Sequence, residues 1–208
     1  MSEAPSPDKA WVRISTSLPP DVVIAFCQDA ERLLRINSMY EFEEWRSERE
    51  GRYFMHVHNL SNGRRFATAI DVTPLPDGVR IAYETGLRTA TEFRVEPPPA
   101  DSTRHEKATG GDAVLVVTDD YSGAPETERR VRADEIDKSL VWWGHDLHRY
   151  LRQWGRWSRF GLWRWYMRRV WQPMKPKARR IAFVLIVIAV FDLVASVLAL
   201  LVFIFAWE

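Results

Sequence analysis

A single cysteine, Cys27, stands among the 208 residues, which excludes an intrachain disulfide and a cysteine zinc cage. That usage fits a reducing compartment for the globular part. No basic-then-apolar leader opens the chain, because MSEAPSPDKA is polar and proline-containing, so no secretory signal peptide is expected. Walker and Rossmann fingerprints are missing too. Gly110-Gly111 stands in a polar loop before a strand with no helix after it, which is not a phosphate cradle. Carboxylates are absent from one long stretch. Residues 149–180 hold 11 Lys/Arg and no Asp or Glu, whereas residues 1–148 hold 18 Lys/Arg against 26 Asp/Glu, a net of −8 hidden by the whole-chain +1.

What is present falls into segments, and the last is the plainest. Ile181–Trp207 is a run of 27 residues with 19 Leu, Ile, Val or Phe and five Ala. At ~1.5 Å per helical residue it spans about 40 Å, enough for a hydrocarbon core of about 30 Å. Its aliphatic and Phe residues, at roughly −0.3 to −0.6 kcal/mol each, outweigh Asp192 at about +3 kcal/mol, so a transmembrane helix is expected. MKPKARR precedes the run and only Glu208 follows it. The positive-inside bias then holds residues 1–180 on the cytoplasmic side of a single-pass, C-terminally anchored chain.

The collar before it, RQWGRWSRFGLWRWYMRRVW, is basic and aromatic. Seven of the ten tryptophans lie between Trp142 and Trp171. Arg149, Arg152, Arg156 and Arg159 recur at spacings of three and four, and Tyr150, Leu151, Trp154 and Trp157 take the neighbouring helical face. Such a stretch suits the headgroup layer, with indoles at the interface and arginines on anionic lipid. The expected interface residues are Arg152, Trp154, Arg156, Trp157, Arg159, Trp163, Trp165, Arg168, Arg169 and Trp171. A nucleic-acid surface is the alternative for Trp and Arg so interleaved, and the adjoining span argues against it. A mixed arrangement is favoured, in which Trp142–Trp154 pack as core and only Trp157 onward meets lipid.

The acidic part reads as a strand at Ala10–Thr16, helical spacing over Asp21–Asn37, and short alternating runs at Tyr40–Glu48 and Arg52–Asn59. Asn62-Gly63 predicts a hairpin into Arg65–Thr73, and Leu75-Pro76-Asp77-Gly78 a turn into Val79–Gly86. Strands at Arg88–Val95 and Ala113–Tyr121 follow, the first ended by Pro97-Pro98-Pro99. From Asp134 a helix carries the stripe Leu140, Trp143, Leu147, Leu151 and Trp154, beside which Gly144 would let it approach a sheet closely. The expected organisation is a disordered N-terminus (1–9), a globular domain (10–153), the interface segment (154–180) and the span (181–207).

This α+β order, one strand, two short helices, six strands and a long helix, predicts a curved antiparallel sheet around the C-terminal helix. It resembles the helix-grip superfamily of START, birch-pollen-allergen-like and polyketide-cyclase proteins, also called SRPBCC. LPPDVVIAFCQDAERLLRIN resembles that family's strand-to-helix entry with its D-x-E-x-L second helix. TEFRVEPP, a glycine-containing turn and AVLVVTDDY resemble its last hairpin. The resemblance implies an apolar cavity between sheet and helix for a lipid, isoprenoid, quinone or polyketide. The lining it implies is Phe66, Ile70, Ile81, Tyr83, Thr91 and Phe93 from the sheet, and Trp143 and Leu147 from the helix. The same side chains would serve equally well to fill a solid core.

Catalytic chemistry finds little support, and no cofactor or metal is expected. His56 and His58 share a strand face, which a metal pair or a solvated surface would explain alike. His145 and His148 share a helical face, with Asp146 expected to point elsewhere. Asp119-Asp120 reads as a solvated pair at a strand end. Within the span, Ala189, Asp192, Ala195, Ser196 and Ala199 mark a small-residue face around one ionisable group, suited to a second copy or a partner helix. Two functions are therefore expected ahead of a cyclase or aromatase. One is a membrane-tethered binder of a hydrophobic small molecule, its cavity mouth facing the bilayer. The other is an accessory subunit of a membrane complex.

Overall fold

Tight turns set the neighbours in the sheet. Gly63 takes φ +71°, the left-handed conformation that the Asn-Gly hairpin requires. The strands are β1 (Lys9–Ser15), β2 (Tyr40–Arg49), β3 (Arg52–Asn59), β4 (Arg65–Leu75), β5 (Gly78–Tyr83), β6 (Ala90–Glu96) and β7 (Val114–Asp120). They form one antiparallel sheet in the order β1-β7-β6-β5-β4-β3-β2. The computed structural model describes residues 8–97, 113–131 and 133–206. Most of the expected disordered N-terminus, Pro98-Pro99, the loop with Gly110-Gly111, and Trp207 and Glu208 lie outside the described residues.

Helices α1 (Pro20–Cys27) and α2 (Ala30–Ile36) follow β1. The apolar spacing of Asp21–Asn37 is interrupted at Gln28-Asp29, where the Asp29 carboxylate accepts the Arg32 backbone N–H at 3.1 Å and caps α2. After β7 come α3 (Glu126–Val131), the long α4 (Ala133–Trp157), α5 (Gly161–Tyr166), a π turn over Met167–Trp171, and α6 (Pro176–Ala206). The sequence pattern shows neither α3 nor the π turn. β5 stops at Tyr83 rather than reaching Gly86, and β6 starts at Ala90 rather than Arg88, so Glu84–Thr89 is a loop. That difference places Arg88 where a strand residue would not sit.

The sheet curves around α4, as the helix-grip fold does. Leu140, Trp143, Leu147, Leu151 and Trp154, the apolar stripe of α4, are all buried. They meet Val23, Phe26, Leu33 and Leu34 of α1 and α2 and the inward side chains of the sheet in one core. Each such side chain contributes roughly 1.5–3 kcal/mol through burial. Trp143 also satisfies its indole N–H on the Leu33 carbonyl at 3.1 Å. Gly144 faces Val12 of β1, and a β-carbon there would lie 3.1 Å from a Val12 methyl, which is why the helix can lie so close.

Cys27 is wholly enclosed in this core. Burial pushes its thiol up to about 12, against an ordinary value of about 8.5. As pH rises from the unfolded value toward the folded one, the unfolded chain loses this proton first, so the thiol's contribution to stability falls across that window. Cys27 should therefore resist a water-soluble disulfide reagent at pH 8 and react fully in denaturant. Rapid labelling of the native chain would contradict the burial.

Helix α6 contains the candidate span. Its most apolar window, within Pro176–Ile204, has a mean hydropathy of 2.9 and no buried residue. By length and composition it is able to cross a membrane.

Candidate ligand cavity

The alternation of β3 to β7 sends every second side chain toward α4, and most of these side chains meet there. Of the eight residues expected to line a cavity, Ile70, Ile81, Thr91, Phe93, Trp143 and Leu147 have no exposed surface. Phe93 and Trp143 touch edge to face with ring centroids 5.3 Å apart. This inner half is filled.

Phe66 and Tyr83 lie elsewhere, beside a cavity of about 220 Å³ at the end of the sheet where β3 meets β4 and β5 meets β6. Tyr40, Met55, Leu87, Arg88 and Tyr121 share its wall with them. Phe66 stands edge-on to Tyr40 at 5.8 Å. Exposed Asn62, Arg64, Thr85 and Gly86 border the cavity on the solvent side.

Its wall holds a buried polar cluster. The Arg88 guanidinium lies 2.9 Å from the Asp119 carboxylate, and their side chains are 12% and 0% exposed. The Thr91 hydroxyl donates to Asp119 at 2.6 Å and the Tyr121 hydroxyl at 3.1 Å. Tyr83 and Thr91 share a further hydroxyl contact at 3.2 Å. Asp119 faces Thr91 directly across the β6–β7 ladder. It is thus an interior group and not half of a solvated pair, since the alternation Leu115, Val117, Asp119, Tyr121 turns it inward. Asp120, its neighbour, points the other way and caps the turn through the Ser122 N–H at 2.8 Å.

Burial pushes the Asp119 carboxyl above the ordinary carboxylate range, against the pull of Arg88, Thr91 and Tyr121. Burial likewise raises the Tyr83 phenol, with Arg88 opposing. Desolvation alone would loosen the proton of Arg88, yet Asp119 and the surrounding tyrosines hold it well above its ordinary value. One donor of the cluster is left over: the Nε of Arg88 is buried and has no hydrogen-bond partner among the described residues.

The remaining expected sites fall outside this cavity. His56 lies 3.2 Å from Glu43, which also binds Arg65 at 2.9 Å, and no group of three His, Cys, Asp or Glu suited to a metal occurs among the described residues. Asp146 does not point away from His145 and His148, because it lines the same groove as both and accepts the Ser38 backbone N–H at 2.8 Å.

The collar divides. Trp154 is buried, stacking on Tyr150 at 6.1 Å and meeting Trp163 at 5.5 Å, and Trp171 lies 5.7 Å from Tyr150. Trp163 and Trp171 are half-buried on the domain. Trp157 and Trp165 are exposed, with Arg152, Arg156, Arg159, Arg168 and Arg169. Trp142 is exposed although it falls within the stretch expected to be core, because Trp143 takes the inward position. Ala189, Asp192, Ala195, Ser196 and Ala199 are all exposed on α6.

No protein-family model matches the chain, and no curated protein does. Solved structures are similar to it. A START superfamily protein from Mycobacterium smegmatis aligns over 70% of this chain and 97% of its own, with 12% identity and a TM-score of 0.48. The Zhui aromatase/cyclase from Streptomyces sp. R1128 aligns over 69% and 95%, with 16% identity and a TM-score of 0.42. Ara h 8.0201 aligns over 69% and 96%, with 14% identity and a TM-score of 0.39. Each is a likeness of overall fold alone.

Proposed function

We propose that the protein is a membrane-tethered, cytoplasmic binder of a small hydrophobic molecule that carries a polar atom. The observation that carries the reading is the apolar-walled cavity with Arg88 of the buried ion pair in its wall, a guanidinium whose Nε has no hydrogen-bond partner among the described residues. A hydroxyl or carbonyl oxygen on the ligand would accept from the Arg88 guanidinium, while Phe66, Tyr40 and Leu87 take the apolar body. At about 220 Å³ the cavity lies below the ~300 Å³ where sites for drug-sized ligands begin. It suits a ring system or the head of a longer isoprenoid or quinone, not a whole diacyl lipid. The exposed apolar α6 supports the tether, and the basic residues just before its apolar run support the cytoplasmic placement.

Menadione, a methylated naphthoquinone, is a fitting probe for the full-length chain in detergent. Phe66→Trp should fill the cavity and weaken its uptake about tenfold, since overpacking a contact costs about 1–3 kcal/mol, with little change in the unfolding midpoint. Phe93→Trp should instead strain the filled half and lower stability by a similar amount. Equal menadione uptake by the parent and Phe66→Trp would remove the cavity from consideration.

A further inference from the structure

A second hollow, about 880 Å³, lies between α4, the α2–β2 connection and the first turns of α6. It differs from the cavity in character. Arg149, Arg152 and Arg180 line it, all three exposed and none with an ion-pair partner among the described residues. His145 and His148 stand beside them, and the one carboxylate present, Asp146, is already bonded to the Ser38 N–H. Trp142 adds an exposed indole.

The lower wall changes chemistry within one helical turn. Arg180 is the last residue before the apolar run, and Phe183 and Val184 continue the groove onto it. Arg179 makes that wall rigid. Its guanidinium donates to the carbonyls of Arg35 and Gln172 at 2.8 Å and of Trp171 at 3.1 Å, and it stacks over the Trp171 ring at 4.1 Å. The arginine stripe of the sequence is thereby split: Arg149 and Arg152 face the groove, whereas Arg156 and Arg159 do not line it.

We infer that this groove holds one anionic phospholipid of the leaflet that α6 enters, its phosphate on Arg149, Arg152 and Arg180 and an acyl chain along Phe183 and Val184. Guanidinium groups bind phosphate through paired, charge-assisted hydrogen bonds, and the order of groups down the groove, cationic and then apolar, is the order of groups in such a lipid. The inference rests on α6 being a span and is independent of the ligand cavity.

The full-length chain reconstituted in nanodiscs of phosphatidylcholine doped with phosphatidylglycerol, then released into detergent for native mass spectrometry, tests it. The parent should retain one phosphatidylglycerol in preference to phosphatidylcholine. Arg149→Gln/Arg152→Gln/Arg180→Gln should lower that retention roughly tenfold, as expected for lost charge-assisted contacts. Arg156→Gln/Arg159→Gln/Arg169→Gln, which removes equal charge outside the groove, should leave it unchanged. Equal loss in both variants, or retention in proportion to the bilayer composition, overturns the site while the span stands. Failure to enter nanodiscs overturns the span and the site together.

Discussion

Asp119→Ala should destabilise the domain by about 3–5 kcal/mol, the usual cost of breaking a buried ion pair by removing one partner. The carboxylate has no exposed surface and neutralises Arg88, itself nearly enclosed. Its loss strands a buried guanidinium and leaves the Thr91 and Tyr121 hydroxyls without their acceptor. Against a typical total of about 5–15 kcal/mol, that is a large fraction. Asp119→Asn keeps an acceptor for Thr91 and should cost less. The informative variant is Arg88→Met/Asp119→Leu, which removes both charges at similar volume and should recover most of the loss. Urea unfolding of the three variants measures each term. If the double variant is as unstable as Asp119→Ala, the cost is packing and the ion pair does not explain it. The double variant has a second use. Keeping its fold, it should still take up a plain hydrocarbon probe and lose its preference for menadione, because the Arg88 guanidinium is gone from the cavity wall.

Two adjacent aspartates at a strand end are ordinarily solvated, yet period-two alternation from Leu115 already assigns Asp119 to the inner face. The partner was the obscure part. Arg88 looks like the first residue of a strand, and only the early end of β5 at Tyr83 leaves it in a loop that bends inward. The hairpins, by contrast, are written locally: Gly63 supplies the positive φ of the Asn-Gly turn, and Gly78 leaves the room that the Phe93 carbonyl needs, where a Cβ would clash. The α4 stripe is equally plain, because five apolar residues at steps of three and four leave one possible buried face. How far the interior is filled is not a local property. Ile81 and Phe66 alternate in the same manner, but one is enclosed in the core and the other borders open space. The collar shows the same limit. Its arginine spacing assumes one continuous helix, whereas α4 ends at Trp157 and the chain re-forms as α5 and a π turn. That break folds Trp163 and Trp171 back onto the domain, against Trp154 and Tyr150 of α4.

Arg32→Ala should cost about 3 kcal/mol and loosen the attachment of the collar. Arg32 is 4% exposed, and among the described residues no carboxylate forms an ion pair with it. Aromatic rings surround it instead: its guanidinium lies 3.9 Å from the Trp154 centroid, 4.9 Å from Phe26 and 5.0 Å from Tyr150. Its Nε donates to the Tyr150 hydroxyl at 2.8 Å. A desolvated cation over an aromatic face contributes about 2 kcal/mol or more, and the lost hydrogen bond adds about 1 kcal/mol. Arg32→Lys should rescue little, because a compact ammonium cannot lie flat on Trp154 and reach Tyr150 together. Arg32→Met separates charge from volume: it fills the space without the cation, so full recovery of stability by Met would show that packing alone holds this corner. The consequence extends past the domain. Trp154 contacts Trp163, and Tyr150 contacts Trp171, so Arg32 fastens α2 to the segment that leads into α6. In Arg32→Ala, Trp154, Trp163 and Trp171 should become more accessible to an aqueous quencher than in the parent, where Trp154 is buried and the other two are half-buried. Unchanged quenching alongside lost stability would confine the role of Arg32 to the core and leave the collar held by its own contacts.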